Sequence, residues 1–109
     1  MKLIIAIVHN DDSAAVSSAL TRENFTVTKL STTGGFLLVG NTTFLIGAED
    51  NQVSRIKEII HKFSHKRTID NVATTNSYGK GLNKYGEPEK ITVGGATVFV
   101  LSVDEMEKY

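Results

Sequence analysis

Val53-Ser54-Arg55-Ile56-Lys57-Glu58-Ile59-Ile60-His61-Lys62-Phe63 decides the fold, because its apolar residues recur at steps of three and four. Val53, Ile56, Ile59, Ile60 and Phe63 then share one helix face, the strongest periodic signal in the chain. Arg55, Lys57, Glu58, His61 and Lys62 take the other face. Glu58 and Lys62 form an i,i+4 pair worth a few tenths of a kcal/mol. Just upstream, Ala48-Glu49-Asp50-Asn51 closes a strand and caps this helix. Before that, residues 36–39 and 41–46 read as strand material, with Gly40-Asn41 between them as a turn or bulge signal. Two antiparallel strands linked through this region are expected.

Further outward, Leu3-Ile4-Ile5-Ala6-Ile7-Val8 is apolar, β-branched and short, which describes a strand buried on both faces. Asn10-Asp11-Asp12-Ser13 offers N-cap side chains, and residues 14–23 follow as a helix with Val16, Ala19 and Leu20 on one face. Residues 25–30 alternate as a half-buried strand, and Gly34-Gly35 makes a turn. Residues 64–90 are polar, with Gly79, Gly81, Gly86 and the single proline, and lack periodicity. A connection of that length is usually functional or mobile. Residues 91–103 return to strand composition around Gly94-Gly95, and 104–109 form a charged tail.

The order β-α-β, β-α-β predicts an α+β, ferredoxin-like βαββαβ fold: a four-stranded antiparallel sheet with two helices on one face. Residues 1–109 are expected to form a single domain. Phe25, Phe44, Val98 and Val100 are the candidates for the uncovered sheet face, which favours assembly. The 109 residues carry 40% apolar and 22% charged side chains, with 12 basic and 12 acidic groups. Zero net charge argues against a nucleic-acid polymer as partner, since such affinity rests on a basic face. The absence of cysteine excludes disulfides and thiolate chemistry. No signal-peptide pattern follows the apolar start, and no run approaches the ~20 residues that span a bilayer, so a cytoplasmic domain without membrane insertion is expected.

Chemistry-bearing patterns are few. His61 and His65 stand four apart, as a two-ligand metal site requires, but no further ligand accompanies them at suitable spacing, and two solvated histidines near a helix end are preferred. No nucleophile–base set and no G-x-S-x-G elbow can be assembled, so the expectation is not an enzyme, without catalytic or metal-ligating residues. Gly79-x-Gly81 with Gly86 precedes no periodic helix and is not a phosphate fingerprint. The informative stretch is 32–47, TTGGFLLVGNTTFLIG. Its glycine pair exposes backbone N–H groups, its threonines add donors, Phe36 and Leu37 supply apolar area for a planar base, and Asn41 can read that base's edge. The same residues also describe a glycine hairpin turn followed by a core strand, and spacing alone leaves both readings open.

Thr33-Gly34-Gly35-Phe36-Leu37, Gly40-Asn41-Thr42-Thr43-Phe44-Leu45 and Val93-Gly94-Gly95-Ala96-Thr97-Val98-Phe99-Val100-Leu101 resemble the signatures of the cyclic-di-AMP receptor family, the PstA/DarA-type PII-like signal transduction proteins. Residues 1–8 and the Asn24-Phe25-x-x-Thr28-Lys29-Leu30 stretch match as well, so the resemblance spans nearly the whole chain. It implies a PII-like homotrimer that binds cyclic-di-AMP in clefts between subunits and signals by ordering loops toward a protein target. No cofactor beyond that ligand is implied.

Positions matching the family's ligand contacts are Asn24, Thr28, Gly35, Phe36, Leu37, Asn41, Gly47 and Phe99. Side-chain chemistry fits these positions: Phe36 and Phe99 suit packing on adenine, Asn41 and the Leu37 backbone suit bonding its edge, and Thr28 suits an approach to phosphate. Two family positions differ: an arginine is replaced by Thr26, and a glutamine near the C-terminus by Lys108. Loss of an arginine's charge-assisted contact costs roughly 1.5–3 kcal/mol. Two alternatives remain: a PII-like paralogue binding another adenine nucleotide or none, and a small ferredoxin-like enzyme or metal-tolerance protein.

Overall fold

The computed structural model describes residues 1–30, 40–70 and 90–109. In chain order the elements are β1 (Lys2–His9), α1 (Asn10–Arg22), β2 (Val27–Leu30), β3 (Asn41–Ala48), α2 (Val53–Ser64), β4 (Arg67–Asp70), β5 (Lys90–Val93) and β6 (Ala96–Ser102). Four strands form one antiparallel sheet in the order β2-β3-β1-β6, and β4 pairs with β5 in a separate two-stranded ribbon. The sheet with its two helices is the expected α+β, ferredoxin-like arrangement. No helix of the described residues is long and apolar enough to cross a membrane.

The core lies between sheet and helices. Ile4, Ala6 and Val8 of β1 and Phe44, Ile46 and Ala48 of β3 meet Val16, Ala19 and Leu20 of α1 and Ile56, Ile59 and Ile60 of α2, all buried. Strand alternation sends Leu3, Ile5, Ile7 and Leu45 to the opposite face, where they are half-buried. Register places Phe99 and Leu101 on that same face, 51% and 44% exposed. The chain therefore has apolar side chains on both faces of its sheet and helices on only one.

This corrects the expected open face. Phe44 is buried beneath the helices, Phe25 and Val98 pack against the same core, and Val100 aligns with Ile4 on the helix side. Phe44-Leu45-Ile46 is apolar at three successive positions, so composition could not reveal which parity faces inward.

The helix starts also differ. α1 begins at Asn10, directly after β1, and not at 14, with His9 as the extended N-cap and no side-chain cap. The residues expected to cap it instead join it to β3 and to its own first turn. Asn10 N donates to Gly40 O at 2.8 Å, Thr42 Oγ1 donates to Asn10 Oδ1 at 2.6 Å, and Ser13 Oγ donates to Asn10 O. Asp11 and Asp12 lie in the first turn, where the helix dipole favours carboxylates. β2 is shorter than expected, starting at Val27, and β3 runs on to Ala48. Before α2 a 3-10 turn over Asp50–Gln52 carries a capping box, with Glu49 N donating to Gln52 Oε1 at 2.8 Å.

The stretch expected as a 64–90 loop is strand at its ends: Arg67 pairs with Val93 and Asp70 with Lys90. The turn at 31–35, the strand at 36–39 and the middle of the long connection lie outside the described residues.

Candidate functional site

Antiparallel register sets Thr28 opposite Leu45, Leu45 opposite Ile5, and Ile5 opposite Phe99. These four residues form one row across the open face, from the β2 edge to the β6 edge. Three strand spacings of about 4.8 Å separate its ends by roughly 14 Å. Thr28 and Phe99, both candidate ligand contacts, thus stand at opposite edges of one subunit. Each edge strand has one partner among the described residues, leaving a row of backbone donors and acceptors on its outer side.

The remaining candidates group at the ends of the sheet. Asn24 follows α1 with φ +66, a left-handed conformation that asparagine tolerates. Its N–H donates to Thr21 O at 2.9 Å, and Phe25 N donates to Leu20 O at 3.1 Å. This closure turns the chain into exposed Thr26 and Thr28. Gly47, opposite Leu3, lies at the same end of the sheet, since Val27 pairs with Ile46. Asn41 pairs with His9 at the far end, six residues and roughly 20 Å along β3 from Gly47. Lys108 is exposed in the segment after β6. One described subunit therefore does not bring these candidates together. Gly35, Phe36 and Leu37 lie outside the described residues.

Ion pairs centred on Arg55 and on Arg67 hold the surroundings. Arg55 grips Glu23 through Nε to Oε1 at 2.8 Å and Nη2 to Oε2 at 2.5 Å, and Arg55 Nη1 reaches Glu58 at 2.8 Å. The Arg55 guanidinium holds the Glu23 carboxyl below its ordinary value. Glu23 immediately precedes Asn24, so the pair fixes the exit of α1 from which the β2 edge is built. At the opposite end Arg67 contacts the buried Asp12, and this hydrogen-bonded carboxylate raises the Arg67 pKa.

Asn41 borders a cavity of about 380 Å³ together with His9, Lys66, Gly94, Gly95 and Thr97. Gly94 and Gly95 have φ of +78 and +95, and Gly95 N donates to Ser64 O. Thr43, two residues along β3, is buried, with its hydroxyl unpartnered among the described residues. The sequence does not single out His9 or Lys66, and Thr43 enters only as one of the threonines of the 32–47 stretch. Only the register that carries Asn41 to His9, and the chain reversal at Gly94-Gly95, bring them near. His61 and His65 have ring centroids 5.9 Å apart, and no group of three or more metal-capable side chains occurs among the described residues.

Among solved structures, the chain is similar to a functionally unknown protein from Pediococcus pentosaceus. The two share 45% sequence identity and superpose with a TM-score of 0.75, over 99% of this chain and 96% of the other. The family described as cyclic-di-AMP receptor matches residues 1–109. The resemblance read from the glycine motifs is therefore met along the entire sequence, and the chain belongs to the cyclic-di-AMP receptor family.

Proposed function

We propose that this protein is a signalling receptor, not an enzyme, that binds cyclic-di-AMP in clefts between the subunits of a homotrimer. The observation that carries this reading is the row Thr28–Leu45–Ile5–Phe99, whose ends are candidate ligand contacts on opposite sheet edges. A ligand touching both residue types needs the β2 edge of one copy beside the β6 edge of the next. The apolar face of Leu3, Ile5, Ile7, Leu45, Phe99 and Leu101 supports such an assembly, because water exposure of that area is unfavourable. A ring joining unlike edges closes by rotation, and three copies, the number implied by the PII-like resemblance, give three equivalent clefts.

Within a cleft, Phe99 offers an aromatic face for adenine, and Asn41 offers an amide for its edge. Asn24, Thr26, Thr28 and the open backbone at Gly47 line the phosphate side, and Lys108 supplies a cation. Gly35, Phe36 and Leu37, outside the described residues, are the family-matched candidates for the adenine side. The β4–β5 ribbon is rooted at Gly94 and Gly95, beside the Asn41 cavity, so ligand there can bias the ribbon and the connection it carries toward a protein target.

Calorimetric titration with cyclic-di-AMP, beside light-scattering mass measurement, tests the reading. One dinucleotide per chain on a particle of three chains is expected. Absence of binding heat removes the ligand, and a monomeric mass removes the cleft. The reading of a paralogue for another adenine nucleotide draws on Thr26, which lacks the arginine fork for a phosphodiester. It is the better one if ATP gives heat and cyclic-di-AMP does not.

A further inference from the structure

A second groove opens on the helix side of the sheet, where the last turns of α2 pass the start of β6. It encloses about 700 Å³, a size suited to a small organic molecule. Lys57, His61, His65 and Lys66 line its rim, and Ile60, Ala96 and Val98 give it an apolar wall. Among the described residues no carboxylate lines it, and Lys57 and Lys66 make no ion pair there, whereas Arg55 and Arg67 are both committed to carboxylates. Gly95, with φ +95, adds no side chain at the mouth, and its N–H is held by Ser64 O.

We propose that this groove is a second binding site, for an amphipathic organic anion carrying an apolar or aromatic body and a phosphate or carboxylate group. The apolar body lies against Ile60, Ala96 and Val98. Its anionic end lies among Lys57, His61, His65 and Lys66, where ammonium and imidazole N–H groups supply charge-assisted hydrogen bonds. The groove is distinct from the row of open-face candidates, because α2 and Val98 lie on the helix side of the sheet. Lys66, Gly95 and Ala96 also border the cavity that contains Asn41, whereas Lys57 and His61 do not.

Phenyl phosphate is the probe, followed by amide chemical shifts on the full-length protein, with inorganic phosphate and benzyl alcohol as half-probes. Saturable shifts over residues 57–66 and 94–98 are expected with phenyl phosphate, and weaker ones with either half-probe. The double variant Lys57→Gln, His61→Gln is expected to weaken phenyl phosphate at least about tenfold, the loss of one charge-assisted contact. Both side chains are exposed, and unchanged amide shifts in β1 and β3 report an intact fold.

The site is overturned by an absence of saturable shifts, by equal affinity in the double variant, or by shifts confined to residues 24–30 and 47. Equal binding of inorganic phosphate or benzyl alcohol overturns the amphipathic ligand class. Cyclic-di-AMP titrated into parent and double variant separates the two sites: unchanged affinity in the variant is expected, and a matching loss there would make the groove part of the cleft.

Discussion

Asp12 and Arg67 meet in a two-point ion pair, with Arg67 Nη2 2.8 Å from Asp12 Oδ1 and Nη1 3.3 Å from Oδ2. Asp12 sits in the first turn of α1, and Arg67 opens β4, so the pair fastens the ribbon root to the body of the sheet-and-helix layer. The carboxylate is buried, and removing its charge leaves the guanidinium one neutral carbonyl in place of a two-point anionic acceptor. Asp12→Asn is expected to accelerate hydrogen exchange at Arg67 and Ile69 while leaving Ile4 and Ile46 protected. Equal exchange at Ile69 in variant and parent would show that the pair does not restrain the ribbon.

The same root depends on Gly94. A Cβ placed there would lie 2.5 Å from both Arg67 Nη1 and His65 O, and φ is +78. Gly40 also has positive φ, +89, but open space surrounds its missing side chain. Gly40→Ala should therefore cost about 1–2 kcal/mol from conformation alone, and Gly94→Ala more, because the backbone contact at His65 cannot yield cheaply. Urea unfolding of the two variants measures the difference. Equal losses would mean that the chain near Gly94 relaxes freely.

Glu23 carries a pH signature. Arg55 lowers its folded pKa from the ordinary value of 4.5. A depressed carboxyl stabilises the fold above its unfolded pKa, and that contribution disappears as pH falls through the folded value. Melting temperature should thus decline with acidification below about pH 4.5, and Glu23→Gln should flatten that part of the profile. The pair is exposed, so added salt should narrow the gap between parent and variant. Parallel profiles for the two proteins would remove Glu23 from the acid response.

Assembly has its own test at Leu101, which register sets beside Leu3 on the open face and which is 44% exposed in one subunit. Leu101→Asp keeps the carboxylate in water in a lone chain but would bury it against another copy, at a cost of several kcal/mol. Light scattering should show the variant as a monomer with helical circular dichroism retained. A variant that keeps the parent's mass would place Leu101 outside any subunit contact.

How much of this is legible in the sequence depends on the residue. The 3.6-residue period of Ile56, Ile59, Ile60 and Phe63 identifies α2 and its inner face directly. The two-sided apolarity of residues 3–8 identifies β1, whose second face, with Leu3, Ile5 and Ile7, is half-buried in one subunit. Parity is not legible at Phe44-Leu45-Ile46, where every position is apolar, and only pairing with Ala6, Ile5 and Ile4 resolves it. Arg67-Thr68-Ile69-Asp70 is too short and polar to announce a strand, and its partner at 90–93 is distant in sequence. Asn10 and Asp12 read as caps because capping and first-turn positions favour the same side chains. Their bonds to β3 and β4 are long-range and leave no local trace. Asn41 is a candidate from its own stretch and Thr28 and Phe99 through family resemblance, but their separation across the sheet requires the register.

That separation leaves Thr26 as the position where ligand affinity can be raised. It is exposed immediately before β2, at the edge that bears Thr28 and near Asn24. A threonine hydroxyl donates one hydrogen bond, whereas an arginine presents a planar fork of donors matched to a phosphodiester and always charged. Thr26→Arg should add one charge-assisted contact of roughly 1.5–3 kcal/mol, tightening cyclic-di-AMP binding about tenfold to two-hundredfold. The gain should shrink with rising salt, because part of it is Coulombic at a solvent-facing edge. Titration of parent and variant at two salt concentrations separates this from a packing effect, which salt would leave unchanged. An unaltered dissociation constant in Thr26→Arg would place the phosphates away from the β2 edge.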